Sequence, residues 1–191
     1  PIGKQDVLVP PYTPIAREGM SLRPWGREYR IGGGGLPEGI VAVGGRRGAE
    51  PILRAPARLE AERDGQTFVF DGGARIEEAG DTRAVVRAAG ELAGAPVRLE
   101  GVLEYDGWYQ VRIWLDADPD APTLERLSLV LPLWERADTM YVQRAGDSVA
   151  DNRMGAIPAG EGVVWTSAQL PRFGRDWGSF VPVVYAGNGD K

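Results

Sequence analysis

Between Val97 and Leu115 apolar and polar residues alternate with a period of two, and the pattern breaks once, around Asp106-Gly107. A two-residue period sends successive side chains to opposite faces of an extended strand, so this stretch predicts a long antiparallel hairpin. Val97, Leu99, Gly101, Leu103 and Tyr105 make one apolar set, and Tyr109, Val111, Ile113 and Leu115 make the other. A two-residue loop at Asp106 and Gly107 would pair Leu103 with Gln110 and Leu99 with Trp114, mixing the faces. A three-residue loop of Tyr105, Asp106 and Gly107, with Gly107 left-handed, pairs Leu103 with Tyr109, Leu99 with Ile113 and Val97 with Leu115. The second register keeps the apolar residues on one side and sets Glu100 opposite Arg112 and Arg98 opposite Trp114, an ion pair and a cation–π contact.

Strand-like runs recur along the rest of the 191 residues: 6–9, 21–25, 28–31, 39–43, 52–63, 67–70, 74–79, 84–92, 124–131, 139–143, 163–166 and 180–185. Turn formers such as Arg63-Asp64-Gly65, Asp71-Gly72-Gly73 and Gly80-Asp81 separate them. No stretch repeats apolar residues at helical spacing without a Gly or Pro, and the chain carries 27 Gly and 15 Pro. The expectation is an all-β fold, one large antiparallel sandwich of two packed sheets with few or no helices, in a single domain over 1–191. At this length roughly 70% of the unfolded surface can be buried, so stability requires no metal or cofactor. Phe180–Tyr185 reads as a strand and 186–191 as a turn with no strand returning after it. With Pro1 in place of an initiator Met, this reads as a fragment of a longer protein.

Cysteine and histidine are both absent. Thiolate nucleophiles, imidazole bases and the usual zinc and iron–sulfur ligand sets are thereby excluded, and catalysis would have to rest on carboxylates, Tyr, Lys or Arg. The net charge is −5, and the basic residues are all arginine except Lys4 and Lys191, spread along the chain. Neither a nucleic acid nor a membrane is therefore an expected partner. No apolar run approaches the roughly 18 residues of a membrane span. The abundance of Arg, Ala and Gly fits a GC-rich bacterial genome.

Three polar motifs have competing readings. Gly32-Gly33-Gly34-Gly35 lacks both the spaced glycines of a dinucleotide loop and a following helix, which favours a turn between strands. Asp116, Asp118 and Asp120 begin like a calcium loop, but Ala121 stands at the sixth position and Leu127 at the twelfth. That is not an EF-hand; a solvated loop is the simpler reading and a nonstandard calcium site the alternative. Glu60, Glu62, Glu77, Glu78, Glu100 and Glu104 could supply the carboxylate pair of a glycosidase, yet they fall mainly on the polar faces of strands.

The aromatics remain. Of the six tryptophans, Trp25, Trp108, Trp114, Trp134, Trp165 and Trp177, the hairpin register puts Trp108 and Trp114 on the face opposite the apolar set. An exposed indole can stack on a sugar ring or bury against another domain. Residues 147–178, with Asn152, Arg153, Trp165, Arg172, Arg175, Asp176 and Trp177, read as a loop-rich recognition or packing segment. The candidate carbohydrate or interdomain contacts are Trp108, Trp114, Trp165, Trp177, Arg175 and Asp176; no catalytic or metal residue is assigned.

The ordered landmarks VPPYTPI from Val9, WGREYR from Trp25, GLPEGI from Gly35, PILRAPARL from Pro51, LEYDGWYQVRIWL from Leu103, LSLVLPLW from Leu127, GAIPAGEGVVW from Gly155 and FVPVVYAGNGDK from Phe180 span nearly the whole chain. Together they resemble the N-terminal β-sandwich domain of proteins related to glycoside hydrolase family 123. In that family the sandwich precedes a (β/α)-barrel, on which an adjacent Asp-Glu pair supports substrate-assisted cleavage of N-acetylhexosaminides, notably N-acetylgalactosaminides. The resemblance implies no catalytic residue within these 191 positions. It implies a noncatalytic accessory domain, partnered by the catalytic domain of the same protein and by carbohydrate, in an exported bacterial hydrolase. A stand-alone carbohydrate-binding module and a carboxylate-based glycosidase are the alternative readings.

Overall fold

The computed structural model describes residues 7–45, 48–116, 123–134, 140–144, 152–156 and 183–187. The chain divides into two compact units, Pro1–Trp134 and Glu135–Lys191. All described strand pairings are antiparallel, and no helix occurs among the described residues. The expected all-β fold is thus present, with its layers assembled from several hydrogen-bonded sheets.

In the first unit, β1 (Ala16–Glu18), β2 (Ser21–Arg23), β3 (Arg27–Ile31), β4 (Pro37–Gly45) and β5 (Gly48–Pro51) form a five-stranded meander. A second sheet places β6 (Arg58–Arg63) between β7 (Gln66–Val69) and β12 (Arg126–Val130). A third runs β8 (Arg75–Ala79), β9 (Arg83–Leu92), β10 (Ala95–Glu104), β11 (Tyr109–Leu115) in chain order. The first two sheets are tied together by the amide of Ile52 on the Ile40 carbonyl, by Ala57 on Pro37 and by a Leu53–Leu133 bridge. They share the layer opposite the third. Leu22, Tyr29 and Ile31 of the first pack on Ile76, Ala84, Val86 and Leu103 of the third. Leu59 and Ala61 of the second pack on Ala88, Leu92, Val97 and Leu99. In the second unit, β13 (Met140–Arg144) lies between β14 (Asn152–Ala156) and β15 (Val183–Gly187).

The long hairpin adopts the three-residue register: Leu103 faces Tyr109, Leu99 faces Ile113 and Val97 faces Leu115. Gly107 has φ +87°, its amide bonds the Glu104 carbonyl at 2.9 Å, and Asp106 Oδ1 accepts from the Trp108 amide at 2.9 Å. This left-handed turn fixes the pairing, because a one-residue slip would turn every side chain to the wrong face.

Several sequence boundaries are corrected. Residues 7–9 form no strand; residue 6 lies outside the described residues. Within 52–63 the strand proper starts at Arg58, since Pro51 and Pro56 cannot donate to a ladder, and only Leu53 bridges. Trp25 and Gly26 make the turn between β2 and β3 instead of extending β2. The short strands β1, β5 and β14 have no clear alternation, and β14 falls inside the segment read as loop. Ala186 and Gly187 continue β15 instead of starting a turn. The strand expected at 163–166 lies outside the described residues.

Two tyrosines stitch the layers. The Tyr109 hydroxyl donates to the Gly35 carbonyl at 2.6 Å, and its ring lies over Gly101, where any Cβ would run into the phenol. The Tyr29 hydroxyl donates to the Gly107 carbonyl at 2.7 Å, and the two rings sit 5.9 Å apart. Gly35, with φ +77°, is buried so closely that an added Cβ would lie 2.8 Å from Leu99 Cδ2 and 3.2 Å from the Ala88 Cβ.

Gly35→Ala should therefore cost about 2–4 kcal/mol, the sum of left-handed strain and overpacking. Gly19→Ala, at φ +58° with open space around it, should cost only about 1 kcal/mol. Urea unfolding of both variants measures the difference; equal losses would refute the close approach. Burial pushes the phenols of Tyr29 and Tyr109 above the ordinary tyrosine range; at Tyr29 Arg27 opposes the rise and Asp106 adds to it, and at Tyr109 the neighbouring Tyr29 adds to it. Between the ordinary pKa, about 10, and these raised values the unfolded chain binds fewer protons than the native one, so stability falls as pH rises through that window. Tyrosinate absorbance should show at least two of the six phenols silent until the protein unfolds.

Candidate carbohydrate or domain contact face

The third sheet presents its outer face to solvent, and β11 is its edge strand. Alternation sends Tyr109, Val111 and Ile113 inward and leaves Trp108, Gln110, Arg112 and Trp114 outward, with Trp108 56% and Trp114 39% exposed. Across the strand pair, Arg98 faces Trp114 with its guanidinium carbon 5.7 Å from the ring centroid. The same guanidinium grips Asp116 through two bonds of 3.0 Å. Bonding to Arg98 holds the Asp116 carboxyl below the ordinary aspartate range, partial desolvation opposing it, and raises the arginine in turn.

An ion-pair network continues across the face. Glu100 accepts from Arg112 at 3.4 Å and from Arg87 at 3.0 and 3.1 Å; Arg87 also meets Glu77 at 2.5 Å, and Glu77 meets Arg75 at 2.7 Å. Hydrogen bonding to Glu100, helped by Glu77, raises the Arg87 pKa, against some desolvation. Arg112 Nη2 donates to Gln110 Oε1 at 3.2 Å, which fixes both side chains between the two indoles.

The other candidates fall as follows. Trp165, Trp177, Arg175 and Asp176 lie outside the described residues, as do Asp118 and Asp120. Asp116 is the one described member of the aspartate run, and Arg98 occupies it. Glu60, Glu62, Glu77, Glu78 and Glu100 each sit in an ion pair with an arginine: Glu60 with Arg58, Glu62 with Arg126 at 3.1 Å and Glu78 with Arg83 at 3.0 Å. Among the described residues no three acidic side chains are placed to share a metal ion. Gly32–Gly35 forms the turn into β4, not into a helix; the Ala74 amide bonds the Gly33 carbonyl at 2.8 Å, so these glycines serve close packing.

Two features escaped the sequence reading. Tyr12 meets Trp25 at 5.5 Å and Tyr105 at 5.0 Å, both edge-on, and the Trp25 amide bonds the Tyr105 carbonyl at 3.2 Å. Trp25, 46% exposed, and Trp108 thus flank the same hairpin tip. No periodicity joins positions 12, 25 and 105, so only the folded chain brings them together. The second is a row on β12. Leu127 faces Ala61 and Leu129 faces Leu59 on the core side of the second sheet, yet Leu127, Leu129 and Leu131 are 43%, 49% and 53% exposed. Their alternation was legible, but their exposure follows from the edge position of β12.

No protein-family model matches the chain, and a search of curated proteins finds no match.

Replacing Arg98 by Gln should raise the Asp116 carboxyl titration toward its ordinary value, about 3.9, as followed by carboxyl-carbon NMR. The pair's contribution is present above that ordinary value and lost as pH falls through the depressed one, so the variant should flatten stability in that acidic window. An unmoved Asp116 titration in the variant would contradict the bidentate pair.

Proposed function

We propose that this chain is a noncatalytic, all-β accessory domain of a bacterial carbohydrate-active enzyme, a glycoside hydrolase related to the N-acetylhexosaminidases, and that it braces the enzyme's catalytic barrel. The observation that carries the reading is the bare leucine row on β12. Two large apolar side chains on the core-facing side of an edge strand, Leu127 and Leu129, with Leu131 and Trp134 also exposed just beyond it, call for a cover from outside the described residues. The landmarks that resemble the family 123 sandwich supply the nature of that cover, a barrel of the same protein. The noncatalytic part is supported by the glutamates at Glu60, Glu62, Glu77, Glu78 and Glu100, all engaged by arginine. Among the described residues, these five glutamates therefore lend a carboxylate-based glycosidase no support. The second reading, a carbohydrate-binding module, is favoured by the solvent-facing Trp108 and Trp114. Export to the periplasm or beyond belongs to the same proposal, since polymeric substrates lie there.

Coding sequence downstream of Lys191 is expected to specify a (β/α)-barrel with an adjacent Asp-Glu pair. That barrel, made separately, should bind the 191-residue chain in sedimentation experiments, and Leu129→Arg should weaken binding about tenfold or more. The purified chain should leave aryl N-acetylhexosaminides uncleaved. Absence of a barrel, a barrel indifferent to the chain, or hydrolysis above the blank would each overturn the proposal.

A further inference from the structure

We propose that the free edge of β11 pairs with the same edge of a second copy of this chain, the two strands running antiparallel about a two-fold axis at Ile113, so that the third sheet continues from one copy into the other. This goes beyond the bracing reading, which uses β12, and does not rest on it.

The hydrogen bonds of the hairpin fix which way each backbone group of β11 points. At one end the Trp108 carbonyl accepts from the Glu104 amide at 2.9 Å, and at the other the Asp116 amide donates to the Pro96 carbonyl at 3.1 Å. The register between these ends is unbroken, and bonded and nonbonded pairs alternate along an antiparallel ladder. Even-numbered residues therefore turn their N–H and C=O groups to β10, while Tyr109, Val111, Ile113 and Leu115 turn theirs away from it. Among the described residues no strand pairs with that side. The edge also lacks the usual protections against pairing, having no proline, lysine or bulge. Its end is apolar and open, with Leu115 37% and Trp114 39% exposed.

The sequence of β11 is complementary to itself. A two-fold axis normal to the sheet pairs edge-turned residues with one another and keeps side chains of one face together. Three positions of that axis overlap the strands well. An axis at Arg112 sets the two Arg112 side chains directly opposite, where like charges repel. An axis at Val111 carries the exposed Leu115 past the end of the partner strand, to the partner's Gly107 turn. An axis at Ile113 sets Arg112 opposite the partner's Trp114 and Gln110 opposite the partner's Asp116. The first is a cation–π pair. In the second, the Gln110 amide donates to the carboxylate, since Gln110 Oε1 already accepts from Arg112. On the core side Leu115 meets the partner's Val111, and Ile113 meets its own counterpart. Val111, Ile113 and Leu115 then exchange about six main-chain hydrogen bonds with the other copy. Charge and apolar cover thus select the same axis. One strand pair buries less than the roughly 1,600 Å² of a standard interface, so the dimer depends on concentration.

Sedimentation of the full 191-residue chain should show a monomer–dimer equilibrium between about 10 μM and 1 mM. Leu115→Lys places on the edge the charge that natural edges use against pairing, and should weaken dimerisation about tenfold or more, with circular dichroism like the parent's. Leu129→Arg, on β12, should leave dimerisation unchanged. The chain has no cysteine, so introduced thiols report the register. A mixture of Arg112→Cys and Trp114→Cys should oxidise to the mixed disulfide about tenfold or more faster than either variant forms its own, because only the mixed pair is directly opposed, with Cα atoms about 4.5 Å apart. A monomer at every concentration, dimerisation indifferent to Leu115→Lys, or self-disulfides that form as fast as the mixed one would each overturn the proposal. Loss of dimerisation with barrel association intact removes the β11 pairing alone, and the reverse result removes the brace alone.

Discussion

The left-handed turn at Gly107 sorts the third sheet into an inside and an outside. With Glu104 and Trp108 held across it, the apolar residues of β10 and β11 face the opposing layer and the indoles and arginines face water. A slip of one residue would drive Arg112 and Trp114 of β11 into the core and expose Val111 and Ile113. The turn also binds the rest of the fold directly, because its Gly107 carbonyl accepts the buried Tyr29 hydroxyl. Register, core and outer face thus depend on the conformation of one small loop.

The opposing layer meets this sheet in two different ways. Around Tyr29 and Tyr109 the layers are joined by buried hydroxyl-to-carbonyl bonds, which satisfy polar groups at the cost of a fixed geometry. Around Leu59, Ala61, Leu92 and Leu99 they are joined mainly by apolar packing that includes the Phe70 ring, with Arg63 donating to the Ala93 carbonyl beside it. Gly35 sits where the two regimes meet, giving its carbonyl to Tyr109 while its missing side chain admits Leu99 and Ala88. The glycine run that superficially suggests a phosphate loop is thereby explained by packing.

Much of this was legible in the amino-acid order. The alternation from Val97 to Leu115, combined with the demand for one apolar face, settled strand pairing, turn length and the Arg98–Trp114 contact. What stayed hidden was whatever depends on contacts distant in sequence. Trp25 reads as the end of a strand but turns out beside Tyr12 and Tyr105, and Gly101 gives no sign that a tyrosine ring lies across it. Short strands such as β1 and β5 carry too few residues for a period to appear; they exist because neighbouring strands offer a ladder. On the candidate face, the outward position of Trp114 and the Glu100–Arg112 pair followed from the register, whereas the grip of Arg98 on Asp116 depends on side-chain conformations that no spacing encodes.

The arginine and glutamate chain from Arg75 through Glu77, Arg87 and Glu100 to Arg112 runs across β8, β9, β10 and β11. Ions in water resist being brought together because each must shed some hydration, and that resistance weakens on warming. A lattice of shared charges also loses less freedom per contact than separate pairs would. Heat, which loosens most surfaces first, therefore finds on this wet side of the sheet a lacing that tightens relative to its surroundings, while concentrated brine would slacken it.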